Sequence, residues 1–196
     1  MRTESVSKED IVLLLIKKAT EFQGTKTSGI LGKKALQKSL YFFNLKHDIF
    51  SFRWGDYGPI SGEIQQIAQD LISNGNVTVE DISTLKQDAV IKNMKFSNEN
   101  NPYFSETKFP DEIDKDLTEI VKFIAGRTPR ELELLASVHF WAVKQQDMFD
   151  EYTVENILEK LTELKPDAGF TLKNVQEAIN TLEGTGHLQK SLVEEN

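Results

Sequence analysis

Cysteine is absent from all 196 residues, which excludes disulfide staples, thiolate nucleophiles and cysteine zinc sites. A reducing compartment, the cytoplasm, is the expected setting. Histidine is scarce. His47, His139 and His187 lie on three separate segments without ligand spacing, so no metal site is expected, and His139, inside an apolar stretch, reads as a core histidine hydrogen-bonded to its surroundings. Long apolar runs are also missing: Ile11 to Ile16 is too short to cross a bilayer, and a start carrying Glu4, Glu9 and Asp10 is too acidic for a signal peptide. Gly32-Lys33 is followed by Lys34 instead of Ser or Thr, and Thr27 stands where a phosphate-binding loop needs glycine. Gly184-Thr185-Gly186 lacks the third glycine of a dinucleotide site. With no nucleophile elbow and no carboxylate pair set apart as acid and base, neither catalysis nor a cofactor is expected.

Positive charge is short overall, at a net of −8, but it is unevenly spread. Residues 17–53 hold eight basic against two acidic side chains, a net of +6, whereas residues 54–196 sum to −13. An acidic partner could meet the basic region, but nucleic acid is disfavoured by the repulsive field of the whole chain. The acidic group Asp111, Glu112, Asp114 and Asp116 reads as the first turns of a helix, where carboxylates stabilise the positive end of the dipole.

Hydrophobic periodicity gives a mainly helical chain. Ser7 and Asp10 form a capping box ahead of the first helix, and Leu36, Leu40 and Phe43 recur along a second. Residues 49–54 alternate weakly as a strand, Gly55 to Pro59 turns, and Ile60, Ile64, Ile67 and Leu71 line a third helix closed by Gly75. Short strands follow near Val77 to Val79 and Asp88 to Ile91. This is the order of a winged-helix unit with a small β-hairpin, expected over residues 1–97. The polar stretch from Ser97 to Pro102 is the expected boundary, and residues 98–196 are expected to form a helical, helix-turn-helix-like half, with one compact domain of both halves as the alternative. There, Asp111 to Ile124 reads as a fourth helix, Pro129 opens a buried fifth, and Thr153 and Thr171 cap the last two.

Chemistry is densest in Phe52-Arg53-Trp54-Gly55-Asp56-Tyr57-Gly58-Pro59-Ile60-Ser61. Two readings compete. In one, Trp54 and Tyr57 close over the core, Arg53 pairs with Asp56, and Ser61 caps the third helix. In the other, the turn is a recognition surface, because Arg, Trp and Tyr dominate binding hot spots. The combined expectation is that Tyr57 packs while Arg53, Trp54 and Asp56 face a partner beside Lys34 and Lys38 of the basic second helix. Gly58 is expected to hold a positive φ before Pro59.

The helix Leu36-Gln37-Lys38-Ser39-Leu40-Tyr41-Phe42-Phe43, followed by the Tyr57-Gly58-Pro59 turn and Ser61-Gly62-Glu63-Ile64, resembles the YwgA-like proteins and, more distantly, the Panacea (SocA-like) antitoxin domain. Leu134 to Trp141 and the last two helices extend the likeness over most of the chain, although Ile64 stands where leucine is usual and Lys33-Lys34 carries one charge more than the family pattern. The resemblance implies a helical, winged-helix-like scaffold without catalysis, and a protein partner, which for Panacea members is a toxin bound directly. The competing expectation is a DNA-binding regulator of winged-helix type. Its weakness is the last helix, where Lys173 faces Glu177 and Glu183 and would repel phosphates. A homodimer is compatible with either reading.

Overall fold

The structure is a computed structural model that describes residues 6–24, 28–83, 90–97, 101, 104 and 109–189. Positions 25–27, with Lys26, of the loop that the sequence leads one to expect from Gly24 to Gly29 lie outside them, as do positions 88 and 89 of the second expected strand, and 98–100 and 102 of the polar stretch. The chain divides into two compact units, Met1–Phe52 with Ser61–Pro129, and Arg53–Ile60 with Arg130–Asn196.

The first unit starts at the expected capping box: Ser7 Oγ accepts from the Asp10 amide at 3.0 Å, and Asp10 accepts from the Ser7 amide at 3.3 Å. Helix α1 (Lys8–Glu21) buries every side chain from Ile11 to Ile16. Next comes α2 (Gly32–His47), in which every residue from Ala35 to Phe43 is buried. The sequence suggests one apolar face; instead the helix is enclosed all round, polar Gln37, Lys38 and Ser39 included. A left-handed Asp48 ends it, with its amide donating to Asn44 O.

Two short strands follow, β1 (Arg53–Gly55) and β2 (Gly58–Ile60), paired antiparallel and belonging to the second unit. The chain then returns to the first unit through α3 (Gly62–Ser73), capped as expected by Ser61, and Gly75 beyond its end has φ +74°. Strands β3 (Val77–Ser83) and β4 (Val90–Phe96) form a second antiparallel hairpin. Ile30, between α1 and α2, bridges Met94 of β4 through a reciprocal pair of backbone hydrogen bonds at 2.8 and 2.9 Å.

Helix α4 (Asp111–Ile124) packs on α1 and α2. Its first turns do more than face the dipole, since Asp114 pairs with Lys18 at 2.8 Å and Asp116 with Lys46 and His47 at 2.9 Å. These contacts keep α4 with the first unit, which runs to Pro129.

The second unit continues with α5 (Pro129–Phe149), α6 (Val154–Leu164), one 3-10 turn at Pro166–Ala168, and α7 (Leu172–Gly184). Thr153 and Thr171 cap α6 and α7 through the amides of Asn156 and Asn174, as the sequence indicates. Helices α6 and α7 pack together, and Ile157, Leu161, Val175, Ile179 and Leu182 are fully or nearly fully buried. Among the described residues no helix is long and apolar enough to cross a membrane.

Candidate functional site

The β1–β2 hairpin carries the chemically dense turn, and its construction follows from its residues. Gly55 pairs with Gly58, leaving Asp56 and Tyr57 as the tip. Neither tip residue has positive φ, whereas Gly58 sits at φ +84°, as expected. A second demand falls on the same glycine: a Cβ there would lie 2.5 Å from Ser137 Oγ of α5. Only glycine meets both the left-handed backbone and this close approach.

Trp54 is the anchor. Its ring lies 5.3 Å from that of Phe140 and 5.2 Å from that of Trp141, both on α5, and the Lys165 ammonium stands 5.3 Å from its centroid. Lys165, the residue after α6, is buried. Its Nζ donates to Glu133 Oε1 at 2.7 Å and to Ser137 Oγ at 3.4 Å. A cation with a carboxylate, a hydroxyl and an aromatic face around it is well supplied with partners, as a buried charge must be. Hairpin and α5 are thus joined by a polar knot below the tip.

The tip itself faces outward. Arg53 and Asp56 are exposed, and Tyr57 is 57% exposed. The expectation for the two aromatics is therefore exchanged: Trp54 packs, because α5 offers it two rings and a cation, and Tyr57 projects from the turn. Arg53 and Asp56 form no ion pair among the described residues. Lys34 and Lys38 belong to the first unit, on α2, where Lys34 is half-buried and Lys38 only 1% exposed. Lys38 is thereby withdrawn from the surface expected of it, by the enclosure of α2 on all sides.

Much of the remaining basic region is also engaged, with Lys17 bound to Glu21, Lys18 to Asp114, Lys33 to Gln69 and Lys46 to Asp116. Asp116 is held below the usual carboxylate range by Lys46 and His47, which outweigh the opposing effect of burial. Sequence reading missed Glu133, Ser137 and Lys165. Glu133 and Ser137 stand one helical turn apart within the mostly apolar stretch from Leu132 to Val143 of α5, and that polar pair was the available signal; Lys165 carried none. His139 matches its reading as a core histidine, with Nε2 donating to the His187 carbonyl at 2.9 Å. Burial above all pushes its pKa down to about 4. Among the described residues no three acidic or histidine side chains converge as metal ligands.

No protein-family model matches the chain, and no curated protein matches it.

Proposed function

We propose that the chain is a non-enzymatic protein-interaction module, antitoxin-like in the sense that the Panacea resemblance implies, which presents Arg53, Asp56 and Tyr57 to a partner protein. The observation that carries this reading is an exposed Tyr57 on a turn whose base is immobilised by Trp54 and Gly58. A tyrosine and an arginine on a fixed turn lose little conformational freedom on binding, so more of their contact energy is retained as affinity. Trp54 acts here as pedestal, not contact.

The test is co-expression with the product of the neighbouring reading frame, reading growth rescue and co-purification. Tyr57→Ala and Arg53→Glu should each abolish or sharply weaken both while leaving the melting temperature unchanged. Full rescue and full co-purification by the two variants combined would refute the assignment.

A second reading, a DNA-binding regulator, is favoured by the order of the first unit. Helix, Ile30 bridge, helix, helix and hairpin follow one another as in a winged-helix domain. The helix that would enter the groove is α3, which carries Glu63 and Asp70 and no lysine or arginine. On the hairpin, Lys95 is paired with Glu80 at 2.7 Å. Phosphate attraction is therefore weak where that reading needs it. A mobility-shift titration against random and self-promoter duplexes decides between the two, and sequence-selective retention at physiological salt would promote the regulator.

A further inference from the structure

Away from the hairpin tip, α5 and α6 enclose an open groove of about 220 Å³. On the α5 wall stand Trp141, Lys144, Gln145 and Met148, at the i, i+3, i+4, i+7 spacing of one helix face. The α6 wall repeats that spacing with Asn156, Glu159, Lys160 and Glu163. At the end of α5, Met148 is 69% exposed and Phe149 65% exposed. Two adjacent bulky apolar side chains left in water beside a groove are a costly surface unless something covers them.

Charge selects the occupant. Residues 144–163 hold six carboxylates against two lysines, a net of −4. One of those lysines is already committed: Lys160 lies 5.4 Å from the centroid of the Trp141 ring and donates to Glu163 at 2.8 Å. Glu159 and Glu163 line the groove, and Asp147, Asp150, Glu151 and Glu155 are exposed in the stretch that joins its two walls. A second copy of the same face would be repelled, as would a phosphate backbone or an anionic membrane. Both walls are helix faces with no strand edge, so they offer side-chain ridges to a third helix and no ladder to an extended peptide.

We propose that this groove receives a basic amphipathic helix of another protein, which lays its apolar face on Trp141, Met148 and Phe149 and directs its flanking lysines or arginines at the acidic rim. The site is distinct from the exposed Arg53, Asp56 and Tyr57, although Trp141, which lines it, also packs against Trp54 beneath them.

The probe is a labelled synthetic Leu/Lys amphipathic peptide of about 18 residues, five helical turns, compared with a Leu/Glu peptide of identical apolar face. Anisotropy titration should give saturable binding of one Leu/Lys peptide per chain, and affinity weaker by at least roughly tenfold for the Leu/Glu peptide. Met148→Ser with Phe149→Ser should weaken the Leu/Lys peptide by roughly tenfold or more without lowering the melting temperature, whereas Tyr57→Ala should leave it unchanged. As a reading independent of any substitution, amide chemical-shift changes on the intact chain should cluster in residues 141–163. Unaltered affinity in the Met148/Phe149 double variant, or shift changes scattered over the acidic surface, would overturn the proposal. So would a dimer in sedimentation that the double variant dissolves, because the groove would then be occupied by a second copy.

Discussion

Gln37 and Ser61 exchange two hydrogen bonds: the Gln37 amide nitrogen donates to Ser61 O, and the Ser61 amide donates to Gln37 Oε1, each at 2.9 Å. One side chain of α2 thereby satisfies both backbone groups of the residue where the chain re-enters the first unit. Asn44, two turns further along α2, does the same at the exit, with Oδ1 accepting from the amides of Ile49 and Phe50 and Nδ2 donating to Phe50 O. The first unit's chain on either side of the 53–60 excursion, at Ile49–Phe50 and at Ser61, is thus tied to one helix. Gln37→Ala takes away the partner of the buried Ser61 amide and leaves Ser61 O with the Gln65 amide, and urea denaturation should show a loss of about 1–3 kcal/mol. A loss within about 0.5 kcal/mol would mean that water replaces the amide and that the clamp contributes little.

Gly58 is expected to tolerate no side chain, for two separable reasons. Gly58→Ala places a Cβ at positive φ, which costs about 1 kcal/mol, and drives it against Ser137 Oγ, which costs a further 1–3 kcal/mol, roughly. Ser137→Ala removes the oxygen and should relieve the second part only. A double-mutant cycle of unfolding free energies should therefore show a coupling of about 1 kcal/mol or more between the positions. Strict additivity would place the whole cost in the backbone.

Local signals were legible and distant pairings were not. The caps at Ser7, Ser61, Thr153 and Thr171 depend on residues three positions apart, so the sequence displays cap and helix together. The positive φ of Gly58 was equally readable from a glycine closing a tight turn. By contrast, Lys165 and Glu133 are separated by a whole helix and a loop, and nothing in either neighbourhood announces the other. The same holds for Asp114 with Lys18 and Asp116 with Lys46, whose pairing assigns α4 to the first unit. Lys38 shows the limit of charge as a guide, because an ionisable residue is ordinarily exposed and only the enclosure of α2 overrides that rule. At the turn the expected roles of Trp54 and Tyr57 are interchanged, since which of the two packs depends on rings at positions 140 and 141 that lie far along the chain.

The Lys165–Glu133 pair sets up an asymmetry between breaking and replacing. Both side chains are more than nine-tenths buried, so Lys165→Met strands a carboxylate away from water and should destabilise the chain by about 3–5 kcal/mol. Replacing both members, as Lys165→Met with Glu133→Leu, removes the stranded charge and should restore most of that loss. Thermal and urea unfolding of the two variants check this. A double variant less stable than Lys165→Met alone would show that the pair contributes more than mutual neutralisation.

His139 predicts a pH dependence whose sign can be worked out. In the unfolded chain the imidazole titrates near its ordinary 6.5, while burial in the folded chain lowers this to about 4, opposed by the hydrogen bond to the His187 carbonyl and assisted by the His187 charge. Between these values the unfolded state binds a proton that the folded state refuses, so stability rises with pH. The contribution is complete above pH 6.5 and is lost progressively as pH falls towards 4, by at most about 3 kcal/mol. Asp116 and Glu63, whose pKa values are lowered by their lysine partners, also lose stability on acidification, but chiefly below the ordinary carboxylate range, which leaves the upper part of the window to the histidine. His139→Gln retains a nitrogen donor for the His187 carbonyl and cannot titrate. Urea denaturation at intervals from pH 7 to 4.5 should therefore show a falling midpoint for the parent chain and a nearly level one for His139→Gln. Equal slopes in the two proteins would mean that another group carries the dependence.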